Sequence, residues 1–434
     1  MKKILGLALL ATVFTTSAFA SVARLEALGE DQYGSQYIND SRNMFLNAAA
    51  VNDHFDFVTF EWGDTTKVVN SESTPKAQGG IFRKSGEIVY GVYFGADSNT
   101  ASELRIGGLQ HLYRSGAFGT PTTTTTNGLA EGRISQLASQ IQNQNTLDLF
   151  VGGETSFKWG ARLSYTTSNN DQGYQGSNLN ESPVVAGVSI DEVEQSGILL
   201  GLGSVFGVNE IYANIGLGND VKLNNITNTG LAVGAANSIE GEDFHFKGQI
   251  GYQLGYIRSL GNGTKAWLEY QQQDAKEEKI SALDGTQEVQ RLSLGWGKTS
   301  KLNDTFSAFY KALYTQSSVE SFGFVKSNED VEASVLRATL GFEVLLKEWL
   351  VLRASIANNV VGETTLTDRG ASSKDSRSIG DSTDVRLGAT LAFGDFGIDG
   401  LIGNDANGDG TAGDDNGQIR TDSLMSRVSM TYKF

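Results

Sequence analysis

Apolar and polar residues alternate one by one through much of this chain. Over 244–256, Phe244, Phe246, Ile250, Tyr252, Leu254 and Tyr256 share one parity, and His245, Lys247, Gln249, Gly251, Gln253 and Gly255 share the other. Leu336, Ala338, Leu340, Phe342 and Val344 alternate with Arg337, Thr339, Gly341 and Glu343. Phe157, Trp159, Ala161, Leu163 and Tyr165 alternate with Lys158, Gly160, Arg162 and Ser164, and Phe306 to Tyr314 behaves alike. A strand turns successive side chains to opposite faces, so each run predicts a β-strand with one apolar face. The runs are about 9–13 residues long, the length of a tilted membrane-spanning strand.

Short and long connections alternate between the runs. Short ones fall near 84–87, 152–155, 206–210, 260–263, 299–304, 345–349 and 394–395. Long polar ones fall near 64–78, 96–146, 167–195, 218–242, 272–287, 316–331, 359–383 and 403–422. Short periplasmic turns and long extracellular loops make this pattern in a transmembrane antiparallel up-and-down β-barrel of about sixteen strands. Residues 79–95, 183–190 and 229–236 read weakly, so about fourteen to eighteen strands fit. Energy sets the register: an Arg turned to lipid at the bilayer midplane costs about 2–4 kcal/mol, so the apolar face points outward. A soluble sandwich also alternates, but with its apolar face inward. Trp62, Tyr90, Phe94, Tyr165, Tyr256, Trp296, Tyr314, Phe393, Tyr432 and Phe434 fall near strand ends, as an aromatic girdle would.

Both ends of the chain bear on location. Leu424, Val428, Met430, Tyr432 and Phe434 share one parity, and Arg427, Ser429, Thr431 and Lys433 the other. A chain that stops on such a strand with a terminal Phe resembles the closing strand of Gram-negative outer-membrane barrels. That resemblance makes Tyr432 and Phe434 an assembly signal read by the barrel-assembly machinery. At the other end, Lys2 and Lys3 precede an apolar run and Ala18-Phe19-Ala20, the pattern of a secretory signal peptide over 1–20. An exported chain entering a membrane without a long apolar helix must do so as a closed barrel.

Composition agrees. There are 52 Gly, 3 Pro and no Cys, which suits continuous sheet and leaves no disulfide. The formal charge is −16, and losing Lys2 and Lys3, with no acid in 1–20, takes the mature chain to −18. That argues against nucleic acid as a partner. Outer-membrane lipid, lipopolysaccharide and small solutes are the expected partners, and monomer and homo-oligomer both stay open. No cofactor is expected.

Residues 21–53 do not alternate and predict a plug-like segment before a barrel over 54–434. They carry Asp40, then Asn47-Ala48-Ala49, just before the first strand at 55–62. This resembles the hatch of the long-chain fatty-acid transporter (FadL-like) family, with its acidic turn and Asn-Pro-Ala motif. Asp40, Asn47 and Ala49 match, while Ala48 stands where the family has Pro. The resemblance implies a lumenal plug and a hydrophobic substrate, in a family of fourteen strands.

Arg162, Lys247, Glu269, Arg291, Arg337, Glu343, Arg353, Arg386 and Arg427 fall on the lumenal parity and are candidate pore-lining residues. Glu61 and Asp148 share it. Two roles compete for this set: pairing with each other and with Glu26, Asp31, Asp40 and Arg42, or lining a water-filled path that favours anions. Loop 96–146 holds Ala130, Ile134, Leu137 and Ile141 at helical spacing, either a helix capping the mouth or a surface loop. Asp405, Asn407 and Asp409 begin like a calcium loop, but the twelfth position is Asn416, so a plain extracellular turn competes. The three histidines, His54, His111 and His245, are scattered, and no Gly-x-Ser-x-Gly elbow occurs, so no enzyme is expected. The best reading is a porin-like channel for passive diffusion of small solutes. A FadL-like transporter of hydrophobic compounds and a structural or surface-interaction barrel without a pore are the alternatives.

Overall fold

The computed structural model describes residues 21–63, 77–96, 145–170, 174–175, 188–228, 240–278, 285–322, 329–368, 373–378, 383–404 and 427–434. The expected signal peptide, the helical spacing in loop 96–146, His111 and the calcium candidates Asp405, Asn407 and Asp409 lie outside them.

Nineteen strand segments form one antiparallel sheet. They are β1 (Phe57–Gly63), β2 (Ala77–Ser85), β3 (Ile88–Phe94), β4 (Asn145–Glu154), β5 (Lys158–Asn170), β6 (Tyr174–Gln175), β7 (Val188–Phe206), β8 (Asn209–Asn228), β9 (Glu240–Gly248), β10 (Gly251–Gly261), β11 (Thr264–Glu278), β12 (Gly285–Lys301), β13 (Phe306–Phe322), β14 (Glu329–Lys347), β15 (Leu350–Asp368), β16 (Ser373–Ser378), β17 (Thr383–Phe393), β18 (Phe396–Asn404) and β19 (Arg427–Lys433). β6 continues β5 along β7, β10 continues β9 along β8 and β11, and β17 continues β16 along β15. Sixteen staves therefore surround the lumen.

The terminal strand closes the sheet by pairing with β1, Val58 opposite Tyr432 and Phe60 opposite Met430. Inside that seam the Thr59 and Thr431 hydroxyls lie 3.1 Å apart, and the Phe434 amide donates to the Asp56 carbonyl at 3.0 Å. Parity settles which face is which. Phe60 is 59% exposed and its neighbour Glu61 only 2%. Leu163, Leu254, Leu268 and Ile356 point out, while Arg162, Gln253, Gln271 and Ser355 are buried within. An apolar outer belt around a polar interior is the barrel arrangement, not the sandwich one.

Strand lengths depart from the uniform expectation: apart from the short pieces β6 and β16, they run from 7 residues in β1 to 20 in β8. The expected loops 167–195, 218–242, 272–287, 316–331 and 359–383 are in large part strand. The outward positions explain this. On β13 they run through Tyr314 and then become Gln316 and Ser318; on β14 Leu336 gives way to Ser334 and Glu332. Apolar alternation stops where lipid stops, but ladder hydrogen bonds continue beyond it. At roughly 3.3 Å per residue, the 20 residues of β8 extend about 66 Å along the strand, more than a bilayer's thickness requires. On β15, Leu336 pairs with Val361 but Arg337 with Asn359, which leaves Val360 as a bulge. The bulge turns Val360 and Val361 both outward and shifts the inward parity from Arg353 and Ser355 to Leu366.

Candidate functional site

The N-terminal segment sits inside the barrel at the short-turn end. Helix α1 (Val22–Ala27) is one and a half turns long and buries all six residues. A helix this short has little stability of its own, so the surrounding wall supplies it. Ser21 caps it, its Oγ accepting the Arg24 amide at 3.0 Å. Helix α2 (Asn43–Leu46) leads into a 3-10 helix (Ala48–Asp53). Asn47 caps that turn, its Oδ1 accepting the Ala49 amide at 3.1 Å, and Ala49 is fully buried. Ala48 stands at the first position of the turn, where Pro is tolerated and pre-set. The departure from Asn-Pro-Ala therefore leaves the turn intact. Two wall glycines let it approach: a Cβ at Gly160 would strike the Ala48 carbonyl, and one at Gly203 the Asn47 Oδ1.

Packing and charge fix the segment on all sides. Tyr37 stacks on Trp267 at 6.0 Å, and Phe45 meets Tyr93 and Phe150 edge-on at 5.0 and 5.3 Å. The guanidiniums of Arg42 and Arg162 lie over the Phe45 ring at 4.0 and 4.8 Å. Asp40 is fully buried; its Oδ2 accepts from Arg24 at 2.8 Å and its Oδ1 from the Arg42 amide at 3.0 Å. Arg24 also reaches Glu343 at 3.2 Å, Glu343 meets Arg353 at 2.7 Å, and Arg353 meets Asp399 at 3.1 Å. Burial works against the charge on Arg24, but Glu343 and Asp40 outweigh it and hold the guanidinium above its ordinary range. Burial pushes the Asp40 carboxyl up to about 6, with Arg24 opposing.

The remaining candidates fall into place around this core. Arg427 reaches Glu26 at 3.2 Å. Arg162 joins Asp148 at 2.8 Å and donates to the Phe45 carbonyl at 3.1 Å. Arg386 binds Asp384 at 2.8 Å and leans on the Glu26 and Glu30 carbonyls at 3.5 and 3.4 Å. Arg337 shares Asp384 at 2.9 Å. Glu269 accepts from the Tyr212 hydroxyl at 2.5 Å. Lys247 and Arg291 stand higher on the wall, in register with Lys276 and with Gln271 and Ser317. His245 is also a wall residue, 3.3 Å from Asp220. Sequence reasoning missed three charged anchors: Lys311, 2.6 Å from Glu30, and the wall acids Asp384 and Asp399. The parity rule that found the arginines reaches each of them.

Above the plug the same parity carries different chemistry. Val289, Val319, Val331 and Leu366 lie in register across β12 to β15 and form an apolar cluster. Val319 is eight residues beyond Lys311, roughly 26 Å up the wall. Below, a cavity of about 90 Å³ lies between plug and wall, bordered by Asn43, Asn47, Asp53, Glu210, Ile257 and Lys265. It has room for a few water molecules and nothing larger.

No protein-family model and no curated protein matches this chain. Solved structures of outer-membrane barrels do. In-vitro-folded OmpT, an outer-membrane protein of Vibrio cholerae, is 12% identical over 87% of this chain and 97% of its own, with a TM-score of 0.34. The Pseudomonas putida toluene transporter TodX is 12% identical over 93% and 95%, at 0.36. A Pseudomonas aeruginosa FadL homologue is 12% identical over 96% and 98%, at 0.39. The likenesses are coarse in both identity and superposition.

Proposed function

We propose that this chain is an outer-membrane channel of a Gram-negative bacterium whose N-terminal plug governs passive movement of small solutes. The supporting observation is the plug itself, held across the short-turn end by the Asp40–Arg24–Glu343 pairing and by Arg162, which donates to the Phe45 carbonyl. Above it the wall offers Arg291, Ser293, Thr315 and Ser317 on the lumenal parity, groups compatible with a water-filled path. The path is thus aqueous above and stoppered below, and flux depends on how far the plug yields. Single-channel recording in a planar bilayer tests this. The mature protein should give small or intermittent steps, and Gly203→Val, which forces Asn47 off the wall, should enlarge them. A folded barrel silent in both forms would leave the reading of a barrel without a pore.

A second reading has its own support. The Val289–Val319–Val331–Leu366 row is a closed apolar cluster on the lumenal parity, and a hydrophobic compound parting it would find apolar walls before it meets the plug. Saturable binding of an acyl or aromatic probe, weakened by Val319→Asn, is the expected result on that reading.

A further inference from the structure

The buried ionic chain that seats the plug is short of one positive charge. It runs Asp40, Arg24, Glu343, Arg353, Asp399, with contacts of 2.8, 3.2, 2.7 and 3.1 Å. Three carboxylates alternate with two guanidiniums, and every member but Glu343 is at most 5% exposed at its side chain. The neighbouring charges are engaged elsewhere: Arg427 with Glu26, Arg162 with Asp148, Arg337 and Arg386 with Asp384, Lys311 with Glu30, and the buried Arg42 acts on Glu61 from beside the Tyr93 hydroxyl. An uncompensated carboxylate in such a place costs several kcal/mol, so the chain needs a cation or a proton.

The open end of that chain is Ser21. Its hydroxyl donates to Asp399 Oδ2 at 3.0 Å, and the next amide, Val22, donates to Glu61 Oε2 at 3.1 Å. Glu61 is buried, and besides the Val22 amide it faces the Ser429 hydroxyl and the attraction of Arg42 and Arg427. Ser21 is also the residue that follows the Ala18-Phe19-Ala20 cleavage pattern. Covalent geometry keeps the Ser21 nitrogen within roughly 6 Å of both Asp399 and Glu61. We infer that the α-ammonium freed by signal cleavage is the missing cation, and that it completes the buried chain against Asp399 and Glu61. Processing then does more than release the precursor, because it creates the charge that seats the plug. The inference rests on cleavage after Ala20.

The test is amine reactivity in the intact barrel. Protein purified from outer membranes is reductively methylated folded and then denatured, across a range of pH, and the N-terminal peptide is read by mass. Ser21 should be the first residue. Its amine should react about tenfold or more slowly when folded, as a group protected by a local opening step does. Its titration should lie above the ordinary value of about 7.7–8.0 for an α-amine, and Asp399→Asn should bring it back down. A different first residue would overturn the cleavage premise and the inference with it. A Ser21 amine that reacts at the denatured rate, or whose titration ignores Asp399→Asn, overturns the inference alone. An inserted Gly between Ala20 and Ser21 should lower the temperature at which the folded gel band is lost, and Asp399→Asn should restore part of it.

Discussion

The lower and upper lumen are built on the same inward parity of the same strands, yet they carry opposite chemistry. Near the short turns β14 offers Glu343, which ties to Arg24 of the plug, and β15 offers Arg353, which ties to Glu343. Farther up, the same strands offer Val331 and Leu366, which tie to each other. Parity decides only that a side chain faces inward. What it does there depends on what fills the lumen at that height. A charge facing the plug is desolvated and needs a partner; a residue above it is free of that demand.

That contrast predicts where substitutions hurt. Arg162→Ala leaves Asp148 buried without its partner and should cost about 3–5 kcal/mol, seen as a lower melting temperature of the folded band. Ser317→Ala, on the lumenal parity but higher, should stay within about 0.5 kcal/mol. An equal loss at both positions would erase the distinction. The next effect is pH-dependent. Burial lifts Asp40 to about 6 in the folded chain, above its ordinary value of 3.8. Between those values the folded chain holds a proton that the unfolded chain has released, so stability falls as pH rises from about 4 to about 6. Unfolding midpoints across that window should show the decline, and Asp40→Asn should flatten it. Gly203→Ala should cost about 1–3 kcal/mol by pushing Asn47 from the wall. Asn47→Ala removes one cap and should cost about 1 kcal/mol. A small effect belongs to the upper row: Leu366→Met, a volume-conserving apolar swap against Val331, should change stability by under about 1.5 kcal/mol, read from the same melting temperature.

Much of the barrel was legible in advance because lipid imposes a simple rule. Phe60, Leu254 and Leu336 face outward and Glu61, Gln253 and Arg337 inward, as alternation requires. The short turns after β2, β7 and β17 were legible from breaks in that alternation. The strands' length was not, because residues such as Gln290, Glu288 and Ser334 alternate polar with polar once the strand leaves lipid. The bulge at Val360 was hidden for a related reason: two adjacent valines carry no mark of which one is extra. The plug was legible as a segment, from its lack of period, and Asp40 and Asn47 stood out within it. Its partners were legible only as a set, Arg162, Glu343, Arg386 and Arg427 among them; which meets which was not, and Asp399 and Lys311 were missed, since parity gives direction without distance.

The plug also carries a consequence for how the barrel closes. It is the part of the chain nearest the N-terminus, yet its contacts fall on β1, β5, β14, β15 and β19, from one side of the seam to the other. Arg427, on the last strand, reaches back to Glu26. The segment nearest the N-terminus and the terminal strand are thereby fastened to one another, so the seam between β1 and β19 is a clasp that the plug spans from within.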